Sequence, residues 1–207
     1  TIADWTYNTA ASTPTVTSNW GAATATYQYK LSTAEDSQYT EYNPNEAGKY
    51  PTDVNTYTLK ATIAATDNYA TASYTQNFDI TKADAGLVAD NIQINDAAVA
   101  DTYKYSDALA LTASYNGTPA TTATPYFRFS SNGGESWVET PSFSTGTNWR
   151  VGCGVLADAN HNAGFVMKAF TIDAGDQEWA TELSVDDSYD YTGSAPDITT
   201  PTAKYES

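Results

Sequence analysis

Residues 55–80, NTYTLKATIAATDNYATASYTQNFDI, and residues 148–172, NWRVGCGVLADANHNAGFVMKAFTI, are two copies of one pattern. A constant shift of 92 positions lays Tyr57 on Trp149, Leu59 on Val151, Ala61 on Cys153 and Ile63 on Val155. The same shift lays Asn68 on Asn160, Phe78 on Phe170 and Ile80 on Ile172, with no gap. Few residues are identical, but apolar and polar positions alternate in step. Each copy therefore reads as a strand, a polar corner and a second strand, the closing hairpin of a β-domain. Rows Tyr57, Leu59, Ala61, Ile63 and Trp149, Val151, Cys153, Val155 face inward; the rows between them face water.

The chain before each hairpin repeats as well. Aromatic pairs open three modules: Trp5 and Tyr7, Tyr103 and Tyr105, Tyr189 and Tyr191, spaced 98 and then 86 residues apart. Alternating stretches follow them, TPTVT, ALALTASY and APDITTP. Next, ATATYQYKL matches TPYFRFS, setting Tyr27 and Tyr29 against Phe127 and Phe129. Each is followed by a polar turn, in the second copy Asn132-Gly133-Gly134, whose glycines accept positive φ. Tyr39 then falls on Trp137 and Glu41 on Glu139. No window carries helical periodicity. The expectation is an all-β chain of tandem Ig-like β-sandwich modules, 1–82 and 83–173, with 174–207 the incomplete start of a third. First strands alone cannot close a domain, so the third start is read as the edge of a truncated excerpt or as strands that pair elsewhere.

Composition fits that reading. Among 207 residues, Thr, Ala, Ser, Asn, Asp and Tyr dominate, a strand-and-turn vocabulary. Twenty-five acidic residues against nine basic ones give a formal charge of −16. Phosphate contacts need clustered Lys and Arg, so nucleic-acid and anionic-membrane partners are excluded as expectations. A lone cysteine rules out an intrachain disulfide. No apolar run approaches the roughly 20 residues that span a bilayer. The opening residues TIADWTYN have neither the basic nor the apolar region of a signal peptide.

The phrases Tyr57-Thr-Leu59-Lys-Ala61, Asn68-Tyr69 and Phe78-Asp-Ile80, with the openings Trp5-Thr-Tyr7, Tyr103-Lys-Tyr105 and Tyr189-Asp-Tyr191-Thr-Gly193, resemble the bacterial Ig-like and MBG-type repeats of large bacterial surface proteins. The second module departs from that pattern at Trp149, Cys153 and His161. The resemblance implies an exported, extracellular protein of a Gram-positive or related bacterium, working as adhesin, stalk or envelope component. Its implied partners are a protein or carbohydrate at a cell surface and further copies or modules of the same chain.

Chemistry-bearing residues are sparse. His161, the only histidine, reads as an exposed corner residue, and Cys153 as a small buried thiol. No catalytic residue is assigned and no enzyme activity is expected. No cofactor is assigned; structural calcium is the inorganic alternative weighed, from hard oxygen ligands at Asp84, Asp90, Asn95, Asp96, Asp173 and Asp176 and corner residues Asp67, Asn68, Asp158 and Asn160. The same residue types are also the preferred turn formers, and no metal ligand is assigned. Lys30 and Lys60 fall on outward rows, poorly placed for an intramolecular lysine crosslink. Of the 5 Trp and 16 Tyr, Trp20, Tyr39 and Trp137 are the candidates for exposed ligand-binding aromatics, most of the others falling on inward rows and reading as core. The alternative functions are a carbohydrate-binding module of a secreted enzyme and a self-assembling filament or surface-layer subunit that uses its terminal strands.

Overall fold

The computed structural model describes residues 1–17, 24–108, 110–176, 178–179 and 203–204, and the fold they form is all-β. The first sheet contains β1 (Trp5–Thr6), β2 (Ala25–Leu31), β3 (Thr40–Glu41), β4 (Asn55–Ile63) and β5 (Ala72–Thr81), in the order β1-β5-β4-β2-β3. β4 and β5 form an antiparallel ladder from Asn55 opposite Ile80 to Ile63 opposite Ala72. This is the hairpin that alternation predicts.

Later elements are β6 (Ile92–Ile94), β7 (Ala97–Ala98), β8 (Thr102–Lys104), a four-residue helix α1 (Tyr105–Ala108), β9 (Ala113–Tyr115), β10 (Tyr126–Ser130), β11 (Gly146–Val155) and β12 (Gly164–Asp173). β10, β11, β12 and β8 form a sheet in that order, and β7, β6 and β9 form a three-stranded one. Two short strands, β13 (Glu178–Trp179) and β14 (Ala203–Lys204), pair antiparallel. The helix and the late start of β9 correct the reading of ALALTASY as one alternating stretch: Ala108 closes a helical turn and, among the described residues, only Ala113–Tyr115 are strand.

The sequence repeat is also a repeat of connectivity. β1 lies parallel to the end of β5, with Trp5 opposite Ile80, and β8 lies parallel to the end of β12, with Tyr103 opposite Ile172. Tyr29 faces Thr40 across β2 and β3, and Phe129 faces Val138 in the matching place. Thus the first two aromatic openings each pair with the closing strand of their own copy of the pattern, and the third, Tyr189 and Tyr191, lies outside the described residues. A parallel pair cannot be joined by a tight turn, so the rest of the module must lie between the two.

By compactness the chain divides into two units. One comprises Thr1–Val88, Gly117–Tyr126 and Gly154–Val166; the other comprises Ala89–Asn116, Phe127–Cys153 and Met167–Ser207. In the first, Ile2, Tyr42, Tyr57, Leu59, Phe78 and Ile80 form a buried cluster against which Trp5, Tyr7, Tyr27 and Tyr29 pack. Phe78 stacks on Tyr57 at 5.6 Å and on Trp5 at 5.0 Å. In the second, Phe170 stacks on Trp149 at 6.1 Å and meets Tyr103 edge-on at 5.5 Å. Burial of the Trp149 indole leaves an N–H needing a partner, and it donates to the Ser144 carbonyl at 2.8 Å. The inward row of the second hairpin is buried throughout, with Val151, Cys153 and Val155 all fully enclosed. In the first hairpin Tyr57 and Leu59 are buried, whereas Ala61 and Ile63 are only half-buried.

Candidate functional site

The best-organised polar cluster forms at the corner of the second hairpin, from Asp158 to His161. The same four-residue corner closes the first hairpin, where Thr66 and Tyr69 exchange backbone hydrogen bonds of 2.9 and 3.3 Å. In the second copy an aspartate stands where the first has Thr66, 92 positions earlier. Its short carboxylate folds back over its own turn, as Asx residues do. Asp158 Oδ1 accepts from the amides of Asn160 at 2.8 Å and His161 at 2.7 Å, while Oδ2 accepts from the Thr122 amide at 3.1 Å. His161 Nδ1 lies 3.0 Å from Oδ1.

More of the first unit closes on this corner. Ala83 bridges His161 through Ala83 N to Asn160 O at 3.0 Å and Asn162 N to Ala83 O at 2.8 Å. Asn160 Oδ1 accepts from the Val54 amide at 3.1 Å, and Lys82 Nζ donates to the Asp158 carbonyl. Tyr7 meets the imidazole edge-on, with ring centroids 5.2 Å apart. The His161 side chain is therefore only 13% exposed, which corrects its reading as an exposed corner residue. Partial burial pushes the Asp158 carboxyl up, but the three amides and the imidazole outweigh it and hold the group well below the usual carboxylate range.

Chemically this arrangement orients. The carboxylate fixes one imidazole nitrogen, and its remaining lone pairs are spent on backbone amides rather than on a substrate. Cys153 is fully buried, and burial pushes its thiol up to about 11, opposite to the shift that makes a thiolate nucleophile. Among the described residues no three His, Cys, Asp or Glu side chains converge as a metal site. Several of the oxygens considered for calcium are engaged otherwise. Asp90 pairs with Lys168 and Asp176 with Lys104, each at 2.8 Å. Asn95 accepts from Thr112, and Asp96 from Ser114 at 3.1 Å.

Of the three candidate ligand-binding aromatics, Trp20 lies outside the described residues. Tyr39 is half-buried, with the ammonium groups of Lys30 and Lys60 each 5.3 Å from its ring centre. Lys30 is more enclosed than its outward row implies, its side chain 11% exposed. It bonds the Ala34 carbonyl and pairs with Asp36 at 3.1 Å, so the turn after β2 folds over it. Trp137 is half-buried beside Gly134, in the hairpin that Gly133 and Gly134 close with φ of 76° and 102°.

A second feature, a groove of about 340 Å³, opens beside β5. Val16, Tyr27, Ala61, Ile63, Ala72 and Tyr74 line it. It lies where the inward row of the first hairpin emerges from the core. Alternation predicts the row but not that its last two residues are only half-buried. The sole sequence cue is that Ala61 and Ile63 match the fully buried Cys153 and Val155. No protein-family model, curated protein or solved structure matches the chain.

Proposed function

We propose that this chain is a structural and adhesive segment of a bacterial cell-surface or secreted protein, its tandem Ig-like modules serving as spacer or partner-binding stalk. The observation that carries the reading is the repeated sheet connectivity. Two copies of one strand order, each opened by an aromatic pair on its own closing strand, are what a chain gains by adding length rather than chemistry. The polar corner of the second copy fits the same role, since its Asp, His and Asn side chains are spent on the fold. Among the described residues no helix is long and apolar enough to cross a membrane, and an acidic surface suits a solvated exterior.

The deciding experiment is protease shaving of intact cells that make the natural protein, with peptides identified by mass spectrometry. Release of peptides from these modules before any cytosolic marker supports the reading; their protection until lysis overturns it. Carbohydrate binding is the second reading, favoured by Tyr39 and Trp137 at matching hairpin positions, each partly open. A glycan array gives its test. A saturable sugar ligand whose binding falls at least tenfold on Trp137→Ala or Trp20→Ala would establish it.

A further inference from the structure

Among the described residues three parallel contacts share one arrangement. β1 runs parallel to the end of β5, Ala83 runs parallel to the corner at His161, and β8 runs parallel to the end of β12. Each contact closes off the chain that lies between its two segments. The direction of pairing decides what tension does there. A chain under tension pulls the earlier segment back towards its N-terminus and the later one on towards its C-terminus. Where the two are parallel, that pull slides one along the other, and every bond between them is strained together. In an antiparallel hairpin such as β4 and β5 the same pull acts on two ends lying side by side, Asn55 opposite Ile80, and opens the bonds one at a time.

The parallel contacts are bonded to resist sliding. At the first, the Tyr7 amide donates to the Thr81 carbonyl at 2.8 Å, the Asp79 amide to Asp4 Oδ1 at 2.7 Å and the Gln76 side chain to the Ile2 carbonyl at 2.9 Å. Ile2 is buried in the core, and Trp5 stacks on Phe78. Directly beyond β5, Ala83 exchanges two backbone bonds with the corner, and Lys82 Nζ donates to the Asp158 carbonyl. At the third, the Thr171 amide donates to the Asp101 carbonyl at 2.8 Å, and Lys104 Nζ meets Asp176 Oδ1 at 2.8 Å past the end of β12. We propose that these contacts are tension-bearing locks: force carried along the chain crosses from β1 to β5, and from β8 to β12, by shear, and the hairpins stay unloaded until a lock ruptures. The Ala83 contact is sheared in the same sense, which gives the Asp158–His161 corner a mechanical use. For its biological role the proposal rests on the stalk reading, but force on single molecules tests it independently of where the protein resides.

Force-clamp measurements on the full chain, held by tags at its two ends, supply that test. Extension should come in single steps of about 250 Å, the contour length of a module of roughly 70–75 residues at about 3.5 Å each. Asp4→Ala with Gln76→Ala removes two bonds of the first lock. Forced unfolding follows the unfolding rate, so at constant force one of the two ruptures should come about tenfold sooner or more. Thr56→Ala with Thr58→Ala removes two side-chain bonds between β4 and β5. Bonds still intact at the rupture barrier do not speed it, so this pair should change the rate by less than about twofold. Urea unfolding of both variants separates a weakened lock from a general loss of stability. A rupture hastened equally by the two pairs, or unchanged by the first, overturns the proposal. So does extension in short increments that strip β1 from β5 before the module opens. Locks that behave as expected in a protein protected from shaving would refute the surface location and leave the locks standing.

Discussion

Replacing Phe78 by alanine tests the core at its centre. Phe78 is 2% exposed, stacks on Trp5 and Tyr57, and meets Tyr42 edge-on at 6.4 Å. A buried aromatic removes about 150–250 Å² from water, which at about 25 cal/mol per Å² corresponds to about 4–6 kcal/mol for the whole side chain. Alanine keeps one carbon of that, while the rigid rings around the cavity relax only partly, so the expected loss is about 3–5 kcal/mol. That is a large share of the total stability of about 5–15 kcal/mol for a domain. Phe170→Ala should cost about as much, since Phe170 is also 2% exposed and stacks on Trp149 at the corresponding register. Tyr74→Ala, on the same strand as Phe78 but 73% exposed, should change stability by no more than about 0.5 kcal/mol. Urea unfolding followed by tryptophan fluorescence measures all three. A loss below about 1 kcal/mol for Phe78→Ala, or a similar loss for Tyr74→Ala, would refute the assignment of faces along β5.

Other outcomes follow from single groups. Asp158→Ala should lower stability at neutral pH and flatten its acid dependence. The folded carboxyl is held low, so its contribution is present above the unfolded value of about 3.9 and is lost as pH falls below it; an unchanged acid limb of the melting-temperature profile would count against this. Cys153 should resist alkylation in the native protein at pH 8 and react fully in denaturant, as a thiol-reactive dye will show. Its folded value is raised to about 11, so its contribution is intact below the unfolded value and declines as pH rises from about 8.5 towards 11. Tyr42, pushed by burial to about 12, adds a decline from about 10 upward. Gly133→Val should cost about 1–2 kcal/mol through the backbone alone, because φ there is 76° and no atom crowds the site; thermal melts unchanged from the parent would show that the turn tolerates another conformation.

What the sequence reveals of this fold and what it hides divide along a physical line. Alternation is a local property, and it was enough to place β4, β5, β11 and β12 and to mark Tyr57, Phe78, Trp149 and Phe170 as core. The aromatic openings carried longer-range information only because they recur. Trp5 and Tyr103 are spaced from their closing strands by most of a module, yet both end opposite an isoleucine. The enclosure of His161 was illegible, because Tyr7, Lys82 and Ala83 come from distant chain and the corner motif names none of them. Lys30 shows the same limit in miniature: its row faces outward, but the turn that follows folds back to cover it.

Comparison of the copies goes further than either alone. Alternation by itself assigns Ala61 and Ile63 to the core and gives no reason why they should be only half-buried. In the second copy Ala85 and Leu87 stand against Gly164, the residue that matches Ala72, and the matching Val155 is fully buried. The cover of a hairpin is therefore not part of the hairpin's sequence, and no local rule applied to residues 55–80 can find it. The same comparison explains why the two corners differ. Tyr69 is 51% exposed, whereas His161 at the equivalent position is drawn against Tyr7 and Ala83. An exposed corner and a half-buried end of the row thus occur together in the first copy, as an enclosed corner and a fully buried row do in the second.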